Sequence, residues 1–479
     1  MKCNPSEGYR RESDLLGMRD IPACALYGVQ TLRGLENFDI SKFHLNEYPL
    51  FINGLAITKE AAAIANHELG LISDAQKDAI VQACEEIRKG EHHEHFPVDM
   101  IQGGAGTTTN MNANEVIANR ALEIMGYKRG EYQYCSPNDT VNHAQSTNDA
   151  YPTAIHIGMY YSHLRLVEEL ERLITALRAK SEEFKNVIKM GRTQLEDAVP
   201  MTLGQTFSGF AAILTDEIKH LNEAAEDFLT VNMGATAIGT GICAEPGYAE
   251  KCVAALSRIT GLDFKLSGDL VGATSDTSCL VGYASAMKRV AVKASKISND
   301  LRLLASGPRC GLGEFNLPAM QPGSSIMPGK VNPVIPEVMS QICYKVMGNE
   351  LCVTMSGEAA QMELNAMEPV MAQCDFESVD LLINGFRTLR ERCIDGITAN
   401  AERCKEEVHN SIGVVTALNP VIGYKNSTKI AKEALETGRS VYDLVLEHGI
   451  LTKEDLDTIL LPENMIKPVK LDIKPLRQL

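Results

Sequence analysis

The chain has 479 residues, a net charge of −16, 44% apolar and 5% aromatic residues, and no tryptophan. Such an acidic chain offers no broad basic face for nucleic acid or anionic membrane, and no apolar run nears the roughly 18 residues of a membrane span. Thirteen cysteines, odd in number and never spaced CxxC, fit free thiols in a reducing compartment better than a disulfide framework or a zinc site.

The N-terminal stretch MKCNPSEGYRRESD has no apolar core of a secretory signal, so the expected location is the cytoplasm. Residues 1–148 alternate short helical stretches with polar loops. His92, His93 and His95 in GEHHEHFPVD follow a stop at Gly90 and lack the i, i+4 spacing of HExxH; they read as a solvated loop, with no metal site. GGAGTTTNMNANE, from Gly103 to Glu115, has the glycines of a phosphate loop without the G-K-[ST] ending, so a Walker motif is rejected. QSTNDAYPT places Ser146, Thr147 and Asn148 near a helix start, where free N–H groups favour an anion.

From Thr153, apolar residues at Leu166, Leu170, Leu173, Leu177, Phe184 and Val187 mark one helix face and predict a helix running to Gly191. GRTQLEDAVPMTLGQ joins it to a second helix carrying Phe207, Phe210, Leu214, Ile218, Leu221, Ala225 and Phe228. A third follows Met287, Val290, Ala294, Ile297, Leu301 and Leu304; a fourth starts after Pro336 and continues toward Leu364; a fifth uses Phe376, Val379, Ile383, Phe386 and Leu389. Five long amphipathic helices predict a mainly α protein with an elongated bundle. Their extra apolar faces predict burial against further copies of the chain, hence a homo-oligomer. Between the third and fourth helices lies a Gly- and Pro-rich loop, Gly307 to Pro333. A loop of that length between packed helices is expected to be a mobile functional loop. Short helices fill the chain from about residue 401, and the tail from Pro462 is expected to fray.

Together, GGAGTTTNMNANEV, QSTNDAYPT, GRTQLEDAVPMTLGQ and GSSIMPGKVNP resemble the active-site segments of the aspartase/fumarase superfamily. The resemblance covers nearly the whole chain from about Asp14, in the order and spacing of the aspartase and fumarase branch. Gln194 in RTQ, Thr147 in STND and Glu368 in LNAMEPV are similar to aspartases, where fumarases usually carry RTH and SSND. Gly329 and Glu196 fit that branch less neatly.

The resemblance implies a three-domain lyase: an N-terminal, mostly helical domain at 1–148, a central five-helix bundle at 149–400 and a small helical domain at 401–479. It also implies a homotetramer whose active sites draw loops from different subunits. The implied reaction is reversible conversion of L-aspartate to fumarate and ammonia, by anti elimination through an enediolate with two negative charges on one carboxyl group. Preorganised donors must hold that charge. By resemblance, Thr107, Ser146 and Thr147 would grip the β-carboxylate, and Asn148 the amino group with help from Thr107 or Gln194. Thr193, Lys330 and Asn332 would bind the α-carboxylate. Ser325, the second serine of the loop, would be the general base, its oxyanion stabilised by backbone N–H groups of the glycine-rich turn and by Lys330. No cofactor is required for this chemistry, and divalent-metal activation is left open. The rivals are a fumarate hydratase and a catalytically inactive lyase fold kept as a structural protein.

Overall fold

The computed structural model describes residues 8–477. In chain order, the hairpin β1 (Tyr9–Asp14) and β2 (Gly17–Pro22) precedes helices α1 (Val29–Asn37), α2 (Pro49–Glu68), α3 (Asp74–Arg88) and α4 (Thr107–Ile124). The long α5 (Thr147–Glu183) leads into an antiparallel hairpin, β3 (Ile188–Thr193) and β4 (Glu196–Thr202), and then α6 (Leu203–Glu226). A short parallel pair, β5 (Thr230–Val231) and β6 (Lys265–Leu266), brackets α7 (Tyr248–Thr260); α8 (Leu270–Ser275) and α9 (Ser278–Leu304) follow. The connection from α9 holds β7 (Phe315–Asn316) and ends at α10 (Val334–Glu358). Then come α11 (Glu368–Arg392), β8 (Thr398–Ala399), which pairs with β7, and α12 (Ala401–Asn410). The chain closes with α13 (Val415–Ile422), α14 (Tyr424–Thr437), α15 (Val441–Glu447), α16 (Lys453–Ile459) and the one-turn α17 (Pro462–Met465).

The five expected long helices are α5, α6, α9, α10 and α11, and the fold is mainly α as expected. The first begins at Thr147 and stops at Glu183, short of the expected Gly191. Phe184 and Val187 continue the helical period, but their carbonyls accept from the N–H groups of Gly204 (3.0 Å) and Leu203 (2.8 Å) at the start of α6. The chain between them turns back as a hairpin. The fourth helix ends at Glu358 rather than near Leu364.

Contacts divide the chain into two compact units. One comprises Met1–Glu168, Glu217–Ala291 and Cys343–Ile383; the other comprises Glu169–Asp216, Val292–Ile342 and Asn384–Leu479. In the first, Ile57, Ala61 and Ala65 of α2 pack with Ile157 of α5 and with Leu256 and Phe264 around α7. Small residues on α2 let these helices approach closely, and Phe51 stacks on Phe376 with ring centroids 5.0 Å apart. In the second, Leu418, Ile430, Leu444 and Leu456 form the core of α13–α16. The tail does not fray as expected. Leu471 and Ile473 pack against that core, and the Leu476 N–H donates to the Ile450 carbonyl at 2.8 Å. Two apolar side chains at alternate positions anchor a segment whose prolines and lysines alone read as loose.

Among the described residues eleven cysteines are free thiols, while Cys24 is disulfide-bonded. The three histidines after Gly90 are not a plain solvated loop. His92 Nε2 lies 3.1 Å from Glu86, His93 Nε2 lies 2.8 Å from the Ile87 carbonyl, and burial pulls His95 down to about 4.

Asp375 in α11 is fully buried, and neither carboxylate oxygen has a hydrogen-bond partner among the described residues. Burial pushes its pKa well above the ordinary value. The folded chain therefore keeps a proton that the unfolded chain loses above about pH 4, and stability falls as pH rises from there toward the raised folded value. Asp375→Asn should flatten that decline. Thermal unfolding should show a higher Tm than wild type at pH 8 and little difference at pH 4; a lower Tm at pH 8 would mean Asp375 is ionised and paired.

Candidate active site

The first unit holds four of the expected site residues, at the starts of two helices. Thr107 opens α4, and the residue before it, Gly106, sits at φ +89°. A Cβ on Gly106 would lie 2.5 Å from the Tyr151 ring. Both the left-handed backbone and this approach require glycine. The Thr107 hydroxyl donates to the Gly104 carbonyl at 2.8 Å, and Thr107 is exposed.

Ser146, Thr147 and Asn148 form the start of α5. Ser146 and Asp149 cap the helix reciprocally: the Asn148 N–H donates to Ser146 Oγ at 3.2 Å, and the Ser146 N–H donates to Asp149 Oδ1 at 2.9 Å. Thr147 Oγ1 accepts from the Asn110 amide at 3.2 Å. Because both hydroxyl oxygens already accept, the hydroxyl hydrogens of Ser146 and Thr147 remain for donation outward. That is the arrangement an anion needs. Asn148 Nδ2 donates to the Ala237 carbonyl at 2.7 Å, which turns Oδ1 the other way as an acceptor suited to an ammonium group. Pro152 lacks an N–H, so the Asn148 carbonyl has no donor four residues on; Asn232 Nδ2 supplies one at 3.0 Å.

Behind this helix start lies Lys59, a residue absent from the expected site. It is fully buried in α2 and donates to Asn110 Oδ1 (2.7 Å), Asn142 Oδ1 (3.0 Å) and Gln145 Oε1 (2.8 Å). Burial pulls its pKa down to about 7, while Asp149 favours the charged form. Asp149 is itself pushed up to about 6 by burial, against N–H donors from Gly234, Thr236 and Ser146. Burial outweighs the opposing charge of Asp149, so the shift is downward; the three amide oxygens have no other cation among the described residues. Glu115, the last residue of the first motif, serves α1: it accepts from the N–H groups of Gly28, Gln30 and Thr31 and from the Thr31 hydroxyl.

The second unit holds the other five. Thr193 and Glu196 pair across the tip of the β3–β4 hairpin, with Gln194 at φ +57° and Leu195 at φ +68°. Two non-glycine residues in left-handed backbone store strain at this turn. Arg192, next to the tip, is tied to the buried Glu314 and to Glu407 (2.9 Å), and Lys189 reaches Glu314 at 2.9 Å. This network fixes the hairpin to the root of the serine loop and to α12.

The serine loop closes on itself. The Gly323 N–H donates to the Lys330 carbonyl at 2.7 Å, and Asn332 Nδ2 donates to the Gly323 carbonyl at 2.8 Å. A Cβ on Gly323 would come within 2.8 Å of the Asn332 nitrogen and the Lys330 oxygen, so the closure needs glycine. Ser325 and Lys330 are exposed. The backbone donors expected for Ser325 fall instead on its neighbour. Ser324 Oγ accepts from the N–H groups of Ile326 (3.2 Å) and Met327 (3.0 Å).

Residues 17–348 match the lyase family, and residues 414–467 match the family described as the fumarase C C-terminus. An aspartate ammonia-lyase of Pseudomonas canavaninivorans is 56% identical, over 97% of this chain and 98% of its own. That of Escherichia coli K12 is 52% identical, over 97% of each. The chain belongs to the lyase family. Among solved structures, a fumarate lyase:delta crystallin from Brucella melitensis bound to cobalt superposes with a TM-score of 0.93 at 52% identity, over 96% of this chain and 100% of that one. A class II fumarase from Schistosoma mansoni gives 0.88 at 36% identity, over 96% and 99%. In this lyase two of the four motif segments also carry structural work: Asn110, Glu115 and Asp149 hold helix starts in place.

Proposed function

We propose that the chain is an aspartate ammonia-lyase, converting L-aspartate reversibly to fumarate and ammonia. The observation that carries this is identity of 52–56% to aspartate ammonia-lyases over nearly the full length. The geometry is in keeping with it. The Ser146 and Thr147 hydroxyls at the start of α5 suit a carboxylate on which charge builds up. With Thr107, which must release Gly104 to donate, they hold the β-carboxylate. Asn148 Oδ1 faces the amino group, with Gln194 as its helper. Thr193, Lys330 and the second amide hydrogen of Asn332 bind the α-carboxylate. The base is a loop serine. Two N–H donors on its oxygen favour the oxyanion, so Ser324 is assigned this role in preference to Ser325.

Fumarate supplied with and without ammonium tests the reaction. Aspartate formed only with ammonium is expected; malate would mean a fumarate hydratase, and neither product an inactive lyase fold. Lys330→Ala should raise the KM for aspartate by at least tenfold, with a smaller change in kcat, since a lost charge-assisted bond to a carboxylate costs about 1.5–3 kcal/mol. An unchanged saturation curve would remove Lys330 from the site.

The working form is proposed to be a homotetramer with sites drawn from different subunits, in the cytoplasm. An enediolate needs water excluded, yet Gln194, Ser325 and Lys330 are exposed on the single chain. Tyr344, Leu351 and Met355, spaced by seven and four along α10, are 57%, 58% and 65% exposed. Such a stripe marks a surface that a further copy covers. Sedimentation giving a monomer at working concentration would overturn it. No helix among the described residues is long and apolar enough to cross a membrane. We retain 1–148, 149–400 and 401–479 as the proposed domain division.

A further inference from the structure

A cavity of about 280 Å³ in the first unit lies beside α5, between the segment around β5 and the start of α9. Its lining includes His156, Asp227, Asn232, Asp276, Cys279 and Glu368. Glu368, the first residue of α11, is 4% exposed and reaches no hydrogen-bond or ion-pair partner among the described residues. A carboxyl group so placed is costly unless something in the cavity satisfies it.

The other lining groups define what that partner is. His156 Nδ1 lies 2.9 Å from the Thr230 carbonyl and must carry the hydrogen; its Nε2 therefore accepts, 3.1 Å from the Cys279 thiol. Burial pulls this histidine down to about 4, so the ring is neutral. Asp227 and Asp276 are exposed and place two more carboxylates at the cavity. No lysine or arginine among the described residues lines it. The charge balance rejects the dicarboxylates aspartate and fumarate. A divalent metal wants several converging ligand atoms. The trio of ligand-type side chains that converges among the described residues is Glu86, Glu91 and His92, away from this lining. A monovalent cation with N–H donors matches one buried carboxylate with flanking acids. The volume holds it with several waters at ~30 Å³ each.

The cavity also shares a wall with the amino-group position. Asn232 lines it, and the same side chain donates to the Asn148 carbonyl at 3.0 Å. We propose that this cavity is an ammonium-binding site, with Glu368 as its buried counter-ion, that holds the ion leaving or approaching Asn148. It rests on the aspartate ammonia-lyase reading and deepens it. Burial pushes Glu368 up to about 8. An ammonium ion beside it favours the carboxylate and so is bound more tightly by it.

Two measurements on the assembled enzyme test this. Thallous ion has the charge and nearly the size of ammonium. Crystals soaked in thallous acetate should show an anomalous peak beside Glu368, displaced by ammonium acetate; no peak there would overturn the site. In the amination direction, Glu368→Gln should raise the KM for ammonium at least tenfold and leave the KM for fumarate within twofold. Equal change in both, or an ammonium KM within twofold of wild type, would overturn it. If Glu368→Gln does not fold, Asp227→Asn should raise the ammonium KM severalfold, and no rise would count the same way. If wild type makes no aspartate, the assigned reaction fails, while the thallous peak still decides whether a cation binds. A peak displaced by potassium but not by ammonium marks an ordinary alkali-cation site and overturns the proposal.

Discussion

Ser324→Ala is expected to lower kcat by about 10³-fold or more, and Ser325→Ala by less than about tenfold, with the helical circular-dichroism signal and assembly state unchanged in both. A neutral serine is a poor base because its oxyanion is far more basic than any group that could generate it in water. The turn changes this for one of the two serines. Ser324 Oγ receives two backbone N–H groups, from Ile326 and Met327, without needing to move. Those donors gain most when the oxygen is negative, so they favour the form a base requires. Ser325 Oγ makes no hydrogen bond in this turn and stands exposed. Comparing kcat with KM separates the roles: loss of the base lowers kcat, whereas loss of a substrate contact raises KM first. If Ser325→Ala is the inactive variant, the two N–H bonds on Ser324 are an ordinary serine turn and the base is Ser325. If both retain turnover, neither serine is the base.

The choice between adjacent serines shows where sequence reading stops. The Gly-rich character of 307–333 and the presence of a serine pair are local, and both were legible. Which hydroxyl meets the turn's N–H groups depends on backbone angles around Gly323 and on Asn332 closing back across nine residues. The long helices were legible because their apolar periods are long and unbroken. The end of α5 was not, because Phe184 and Val187 keep the period while their carbonyls bond to residues about twenty positions ahead. Glu368 was legible only as a mark of the aspartase branch; its lack of a partner is a property of the packed cavity. Lys59 was missed for a related reason. In GLAITKEAAAIAN a lysine beside a glutamate reads as the wet edge of an alanine-rich helix. Its partners Asn110, Asn142 and Gln145 lie more than fifty residues away. The available signal was a group of asparagines and a glutamine inside two motifs where solvent-facing residues were expected.

Lys59→Met should then be the most damaging change outside the groups that touch substrate: a loss of roughly 3–5 kcal/mol in unfolding free energy and about a 10²-fold fall in kcat. Removing the ammonium leaves Asn110 Oδ1 and Gln145 Oε1 without their donor in a buried space, while Asn142 Oδ1 keeps the amides of Asn110 and Asn114, and it takes a positive charge away from Asp149. Each unsatisfied buried acceptor costs about 1–3 kcal/mol before relaxation. Relaxation is where function is lost. Asn110 would rotate toward a new donor, and its Nδ2 is what holds Thr147 Oγ1. Gln145 anchors the chain one residue before Ser146 through the Val141 and His143 carbonyls. Thr147 and Ser146 would then lose the orientation that aims their hydrogens at the β-carboxylate. The charge on that group is greatest in the transition state, so kcat should fall more than substrate affinity. Lys59→Arg should not restore activity, because a planar guanidinium cannot place three donors on oxygens arranged around a point charge. Denaturant unfolding with steady-state kinetics on the same preparations checks both parts. A Lys59→Met enzyme that is less stable but turns over at the wild-type rate would confine Lys59 to the fold.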